Sequence, residues 1–208
     1  MVLPDHFGLI ARFYDRVFHF LGPERLMSLL QARPSERILD IGGGTGRVSQ
    51  TFGDDYVVVV CDPSWGMLRE ARQKQMIACC GLAENLPFAD GAFDRIVMVD
   101  TFHHLHDQHA AAKETLRVLR PGGRLVIEEP DIRRWAVKWV ALGERLLLMR
   151  SRFYSIADLA RAFKEAGARI VAIEEGHDYN VRLAVERGGD SDQWWEARMR
   201  WPVGPAIW

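Results

Sequence analysis

The sequence predicts an α/β protein: a doubly wound, mostly parallel seven-stranded sheet that ends in an antiparallel hairpin, with helices on both faces. Three observations predict it. Continuous apolar runs alternate with helical patterns between residues 36 and 130, the signature of parallel strands covered on both sides. The first run leads straight into a glycine cluster, LDIGGGTGRVS, at residues 39–49. Near the end, RIVAIEE and YNVRLAVE are separated by the turn-like Gly176-His177-Asp178. So short a connection forces them antiparallel, because a parallel crossover needs about a dozen residues.

Taken in order, residues 5–31 read as one or two amphipathic helices broken at Gly22-Pro23. ERILDI (36–41) is a short buried strand, followed by the glycine loop and a helix expected from near Thr45. YVVVVC (56–61) is a second strand, rich in β-branched residues. SWGMLREARQKQ (64–75) reads as a helix with Ser64 at its N-cap, and MIACC (76–80) as a weaker third strand. FDRIVMVD (93–100) is the fourth strand, and residues 106–119 form a helix that stops before Pro121-Gly122-Gly123. RLVIEE (124–129) is the fifth. A long helix over about 132–150 precedes a helix from Ser155, where Asp158 completes a capping box, and then the hairpin.

Composition narrows the class of protein. With 208 residues, 48% apolar and 26% charged, the chain suits one substantial globular domain. A formal net charge of −1 gives no general attraction for nucleic acid. Asp5, Arg12, Asp15 and Arg16 interrupt the apolar pattern of the first twenty residues, which reads against a secretory leader. No uninterrupted apolar stretch reaches the roughly 18 residues of a membrane span. Cys61, Cys79 and Cys80 have no metal-ligand or redox spacing and read as buried thiols of a cytoplasmic protein.

Ligands of open α/β sheets sit outside the carboxyl ends of the strands, near the point where strand order reverses. The glycine loop ends the first strand, so Gly42, Gly44 and Gly46 would let the backbone turn sharply and lie against a ligand. A helix after them would offer free N–H groups to an anion such as a carboxylate. The dinucleotide fingerprint G-x-G-x-x-G fails, because Arg47 stands where its last glycine should be. No Lys-Ser/Thr follows the glycines, so the phosphate-binding P-loop fails too. Asp62 ends the second strand, 22 positions after Asp40, where a carboxylate can accept both hydroxyls of a ribose. It also reads as a cap for the helix that follows. Coupled to the glycine loop, it describes a nucleoside ligand whose non-nucleoside end lies over the glycines.

ERILDIGGGTGRVS, VVVVCDPSWGMLREAR, GLAENLPFADGAFDRIVMVDTFHHL and LRVLRPGGRLVIEEP resemble the successive motifs of class I S-adenosylmethionine-dependent methyltransferases. The branch resembled is methyltransferase type 11, which holds the ubiquinone/menaquinone biosynthesis C-methyltransferases. The resemblance runs from about residue 36 to 130 and implies a Rossmann-like fold with S-adenosylmethionine as cofactor. It implies that Asp40, Gly42, Gly44, Thr45 and Gly46 hold the methionine half, and that Asp62 takes the ribose. Pro63 and Met67 would flank the adenine, Ala83 and Glu84 would border its polar edge, and Asp100 and Thr101 would close the site. Leu82 is a departure, since the family often has aspartate there; Glu84 or a backbone carbonyl would then serve the adenine amino group.

The domain layout that follows is a single methyltransferase domain over 1–187, with a helical cap at 1–31, a cofactor-binding core at 36–130 and an inserted amphipathic helix at 131–152. A Trp-rich tail covers 188–208. The expected reaction is methyl transfer to a small, apolar or aromatic, quinol-like acceptor. Another small metabolite, or cofactor binding without catalysis, are the alternatives. Nucleic acid is disfavoured as a substrate, since DTFH follows the fourth strand in place of an Asn-Pro-Pro-Tyr/Phe motif.

FHHLHDQH sets His103, His104, His106 and His109 near the fourth strand's carboxyl end. Histidine titrates in the range a base for a phenol-like acceptor needs, so His103 is a candidate catalytic residue, with His104 beside it. Packing and hydrogen bonding are the stronger reading of such histidines, and no metal site is expected from them. Tyr14, in ARFYDRVF, resembles a pocket-capping tyrosine of the family and also reads as an ordinary core aromatic. Residues 131–152 carry six Arg/Lys against two acids, with Trp135, Trp139, Leu142, Leu146 and Met149 on one stripe. That stripe suits a lid over an apolar acceptor, a peripheral membrane contact, or packing in the core or a homodimer. Trp194, Trp195, Trp201 and Trp208 in the tail suit docking onto this domain or a second copy.

Overall fold

The computed structural model describes residues 23–131, 155–175 and 180–188. The helices expected over 5–22 and 132–150, the 176–178 turn, Tyr14 and the Trp-rich tail lie outside the described residues.

Seven strands form one sheet in the order β3-β2-β1-β4-β5-β7-β6. They are β1 (Arg37–Ile41), β2 (Val57–Asp62), β3 (Ile77–Cys80), β4 (Phe93–Val99), β5 (Leu119–Pro130), β6 (Ala168–Glu175) and β7 (Asn180–Arg187). The first five run parallel, and β7 pairs antiparallel with β5 and with β6, the latter as the short connection requires. From β1 the chain builds outward through β2 and β3, then returns to place β4 on β1's other side. The strand order therefore reverses between β1 and β4, which is where a crevice opens in such sheets.

Alternation along each strand supplies both faces. Leu39, Ile41, Val59, Ile96, Met98, Leu125 and Ile127 pack on one side with α3 (Gln108–Val118) and α4 (Ile156–Glu165). Ile38, Val97, Val99 and Val126 face the other side, under α1 (Pro23–Leu30), and Val60 joins Leu68 and Ala71 of α2 (Trp65–Gln73) there. Asp40 and Asp62 share the phase of Ile38 and Val60, so both carboxylates emerge on the α1/α2 side.

The capping signals operate as expected at two helices. Ser64 Oγ accepts from Met67 N, and Ser155 Oγ accepts from Asp158 N. In the second case the reciprocal contact joins the two side chains, Ser155 Oγ to Asp158 Oδ2 at 2.7 Å.

Two expectations change. No α-helix follows Thr45; the chain makes turns and then a 3-10 turn at Ser49–Thr51. Gly42, Gly44 and Gly46 all have positive φ, which holds the backbone out of right-handed helix until position 47. The fifth strand begins at Leu119, not at 124. Phe93 pairs with Leu119 and Arg95 with Arg124, so Arg120–Gly123 bulge outward and pairing resumes beyond them. The Pro-Gly-Gly turn is real, but it lies inside the strand.

Candidate functional site: the crevice between the first and fourth strands

Close approach keeps the glycine loop bare. A Cβ on Gly42 would lie 2.2 Å from Thr101 Cγ2, and one on Gly43 would lie 2.6 Å from Asp40 Cγ. Gly44 differs: a Cβ there would meet Met67 Sδ at 3.7 Å and Asp62 Oδ2 at 3.9 Å and nothing nearer. The loop is therefore packed tightly beneath and open beside the Asp62 carboxylate.

That carboxylate is held from both sides. Asp62 Oδ2 accepts from Gly44 N at 3.0 Å, and Oδ1 accepts from Ser64 N at 2.8 Å. Each carboxylate oxygen carries a second lone pair, the acceptor capacity that a ribose diol would call on. Both sequence readings of Asp62, helix-start acceptor and ribose acceptor, are compatible in one geometry. Gly81 N donates to Asp62 O, which sets residues 81–84 beside it. Met67 and Ala83 are buried there, while Pro63 is exposed.

Asp40 is 1% exposed and accepts from Ser49 Oγ at 2.7 Å. Burial, opposed by the Ser49 hydroxyl and reinforced by the Asp62 charge, pushes its carboxyl up to about 7. A cation arriving above Asp40 would reverse that shift. Thr45 is buried, and Lys74 Nζ donates to its carbonyl at 2.9 Å, tying the loop to the end of α2.

Across the crevice, Asp100 directly follows β4 with φ of 51°, a left-handed conformation that costs a non-glycine residue energy. Its Oδ2 meets Arg47 Nη2 at 3.2 Å, so an ion pair bridges the glycine loop and the fourth strand. Burial and the nearby Glu129 raise the Asp100 carboxyl above its ordinary range, while Arg47 lowers it. Thr101 Oγ1 donates to the carbonyl of Val99, and its side chain packs against Gly42.

Glu129, at the end of β5, organises the histidine segment. Its Oε1 accepts from Thr101 N and Phe102 N at 3.0 and 2.7 Å, and its Oε2 lies 2.5 Å from His103 Nδ1. Of the four histidines, His103 is buried, His104 half-buried, and His106 and His109 exposed. Burial and the neighbouring His103 push His104 down to about 3, so it stays neutral and weakly basic near pH 7. Among the described residues no group of histidine, cysteine and acidic side chains could hold a metal ion.

At the edge where the sequence leads one to expect the adenine, Glu84 Oε1 accepts from His106 N and Asp107 N, at the turn before α3. Leu82 is 56% exposed. Sequence reasoning missed Glu129 and the Arg47 pairing. The adjacent acids of VIEEP, at the carboxyl end of a strand, were the available signal for the first.

The family model described as "Methyltransferase domain" matches residues 39–127, from the first strand into the fifth. These residues are similar to a methyltransferase domain. A demethylmenaquinone methyltransferase of Beutenbergia cavernae is 41% identical over 140 residues, covering 62% of this chain and 58% of that protein. The chain spans about half the length of the curated relatives it matches. Among solved structures, a SAM-dependent methyltransferase of Thermotoga maritima, described as a possible histamine N-methyltransferase, is 26% identical with a TM-score of 0.71. It is covered over 87% of this chain and 97% of its own. A putative methyltransferase of Haloferax volcanii, solved in complex with the Trm112 methyltransferase activator, reaches a TM-score of 0.79 at 15% identity, covering 90% of this chain and 100% of that one. That last likeness shows the Rossmann-like fold alone. Within the matched residues, the bare loop and Asp62 lie where strand order reverses between β1 and β4.

Proposed function

We propose that this chain transfers a methyl group from S-adenosylmethionine to a small aromatic acceptor of the quinol type. The observation that carries the cofactor half is the open face of the loop at Gly44, set beside a carboxylate held by Gly44 N and Ser64 N. Asp62 would take the ribose, Asp40 and the glycines the methionine half, and Pro63, Met67 and Ala83 the adenine. When bound, the cofactor supplies a methyl group already activated on a sulfonium.

The protein's task is then placement, which supplies roughly 7–11 kcal/mol in well-aligned reactions. Glu129 fixes Thr101, Phe102 and His103 against the crevice wall. A proton on Nδ1 directed at Glu129 would leave Nε2 of a deprotonated His103 as the nitrogen that could take a phenolic proton. Tyr14, the lid reading of 131–152 and any homodimer or membrane contact remain expectations from sequence, since all but Asp131 of these residues lie outside the described ones. The cytoplasm is the compartment we assign, on the three free thiols.

The curated relative's name supports a quinol-like acceptor, and a labelled-methyl assay tests it. Methyl-labelled cofactor is incubated with naphthohydroquinols, simple phenols and non-aromatic amines. Label in the naphthohydroquinols supports the proposal, and label confined to amines overturns the acceptor class. A second reading, cofactor binding without catalysis, is favoured by exposed Leu82 and by the engagement of Glu84 with His106 and Asp107. Binding without label in any acceptor would support it.

A further inference from the structure

Two thiols that lie apart in sequence meet in the sheet, directly beside Asp62. β2 and β3 pair in register, with Cys61 opposite Cys79 and Asp62 opposite Cys80. Side chains of registered neighbours share a face. Cys61 and Cys79 accordingly belong to one buried cluster with Leu39, Ala83 and Leu86, whereas Cys80 packs on the other side against Val60, Leu68 and Ala71. The Cys61 sulfur reaches toward the end of β3, since a Cβ on Gly81 would fall 3.0 Å from it. Cys80 Sγ turns away, to the carbonyl of Pro63 at 3.8 Å.

Spacing, charge and position all favour chemistry between Cys61 and Cys79. Neighbouring strands lie about 4.8 Å apart, inside the roughly 4.4–6.8 Å of Cα separation that a disulfide bridges. The Cys61 thiol, as donor, holds the Cys79 thiol below its ordinary range against the effect of burial, and the Arg72 cation adds to this. Cys61 is pushed up by the same contact and by burial, and Cys80 is pushed up by burial. β3 is four residues long and stands at the edge of the sheet, with no further strand beside it among the described residues. Short edge strands open locally before the core does. Cys79 is 9% exposed against 1% for Cys61, so an incoming oxidant meets Cys79 first.

We propose that Cys79 and Cys61 form a peroxide-reactive dithiol site, in which Cys79 is oxidised by hydrogen peroxide and Cys61 then closes a reversible disulfide between β2 and β3. In the first step the ionised Cys79 sulfur attacks one peroxide oxygen, the O–O bond breaks, and hydroxide leaves with the electron pair, giving a sulfenic acid. In the second, the Cys61 sulfur loses its proton and attacks the Cys79 sulfur as the S–O bond breaks, and the oxygen departs as water. Two thiols and one peroxide become one disulfide and two waters. The Cys61 carbonyl accepts from Gly42 N at 2.7 Å, and the Asp62 carbonyl accepts from Gly81 N at 3.3 Å. A bridge holds its Cβ atoms about 3.8 Å apart, closer than the strand spacing, so it draws together the strand ends that carry Asp62 and residues 81–84. Oxidation thereby weakens cofactor binding. That consequence rests on the S-adenosylmethionine reading given above; the disulfide does not.

The test uses the full chain, reduced, freed of reductant and treated with a small excess of hydrogen peroxide. Remaining thiols are alkylated and the peptides mapped by mass spectrometry. A linked Cys61–Cys79 peptide pair, two hydrogens lighter than its parts, should dominate, with Cys80 alkylated, and dithiothreitol should release it. Titration calorimetry should show S-adenosylhomocysteine binding at least about fivefold more weakly to the oxidised protein, with full recovery on reduction. Cys61→Ser, shown to be folded by thermal melts, should stop at a Cys79 sulfenic acid that dimedone traps. Cys79→Ser should neither cross-link at Cys61 nor lose affinity under peroxide.

Oxidation confined to Cys80, a bridge other than Cys61–Cys79, or thiols that stay reduced would overturn the dithiol site. A Cys61–Cys79 bridge that leaves affinity unchanged would overturn its control of the crevice. A reduced wild-type protein that binds no S-adenosylhomocysteine overturns the cofactor reading, and the peptide map still decides the dithiol on its own.

Discussion

Adding a single carbon at Gly44 or at Gly42 should separate ligand contact from folding. Both glycines have positive φ, 55° and 69°, so alanine costs about 1–2 kcal/mol at either position from left-handed backbone. At Gly44 little else is added, because the nearest atoms to the new Cβ are 3.7 and 3.9 Å away. At Gly42 the new carbon would fall 2.2, 2.4 and 2.9 Å from three atoms of Thr101, which itself packs against the β4 end. Overpacking of that kind adds about 1–3 kcal/mol, for a total of roughly 2–5 kcal/mol. For a chain of this size each kcal/mol moves the melting temperature by about 2–4 °C. Gly44→Ala should therefore melt only a few degrees below wild type, and Gly42→Ala about 10 °C below. Binding should invert the order of interest: Gly44→Ala, folded, should lose at least about tenfold in affinity for S-adenosylhomocysteine, because its methyl group enters the face that approaches the ligand. Differential scanning calorimetry and titration calorimetry read the two effects. A folded Gly44→Ala that binds like wild type, or a Gly42→Ala that melts with it, would refute the reasoning.

Asp40 makes binding pH-dependent. Its carboxyl is raised to about 7, chiefly by burial, so the folded protein holds a proton there that the unfolded chain releases from about pH 4 upward. Its contribution to stability is greatest below pH 4 and is lost as pH rises to about 7. A ligand ammonium favours the ionised form, so titrations at about pH 6 in buffers of different ionisation enthalpy should show proton release, and Asp40→Asn should abolish it. The Glu128–Arg182 pair, both side chains 3% exposed and 2.7 Å apart across β5 and β7, is a second test. Glu128→Gln should cost about 3–5 kcal/mol by removing the charge that matches a buried guanidinium, and adding Arg182→Met should recover much of it in a double-mutant cycle. Glu129→Gln should lower turnover and shift the pH–rate profile if His103 is the base; a profile unchanged in position would assign Glu129 to structure alone.

Much of the fold was legible because buried parallel strands write themselves as β-branched runs, as VVVVC and RIVMV do. The hairpin was legible because three residues cannot cross over. The helix expected at Thr45 was not, since three positive-φ glycines override the apolar spacing that follows them. The start of the fifth strand was hidden because Pro-Gly-Gly reads the same whether it ends an element or bulges one. Within the site, Asp40 and Asp62 were legible from their places at strand ends. Arg47 and Glu129 were not, because their partners lie 53 and 26 positions away, at Asp100 and His103, and come together only through strand order. Glu84 shows the converse: a motif position marked it for the adenine edge, while its carboxylate accepts from His106 N and Asp107 N.

The most direct measurement is titration calorimetry of S-adenosylhomocysteine against the wild-type chain and against folded Asp62→Ala. One equivalent should bind wild type, and the variant should bind at least about tenfold more weakly, because both ribose hydroxyls lose a charged acceptor. Equal affinity in the two proteins would contradict an adenosyl site between the first and fourth strands.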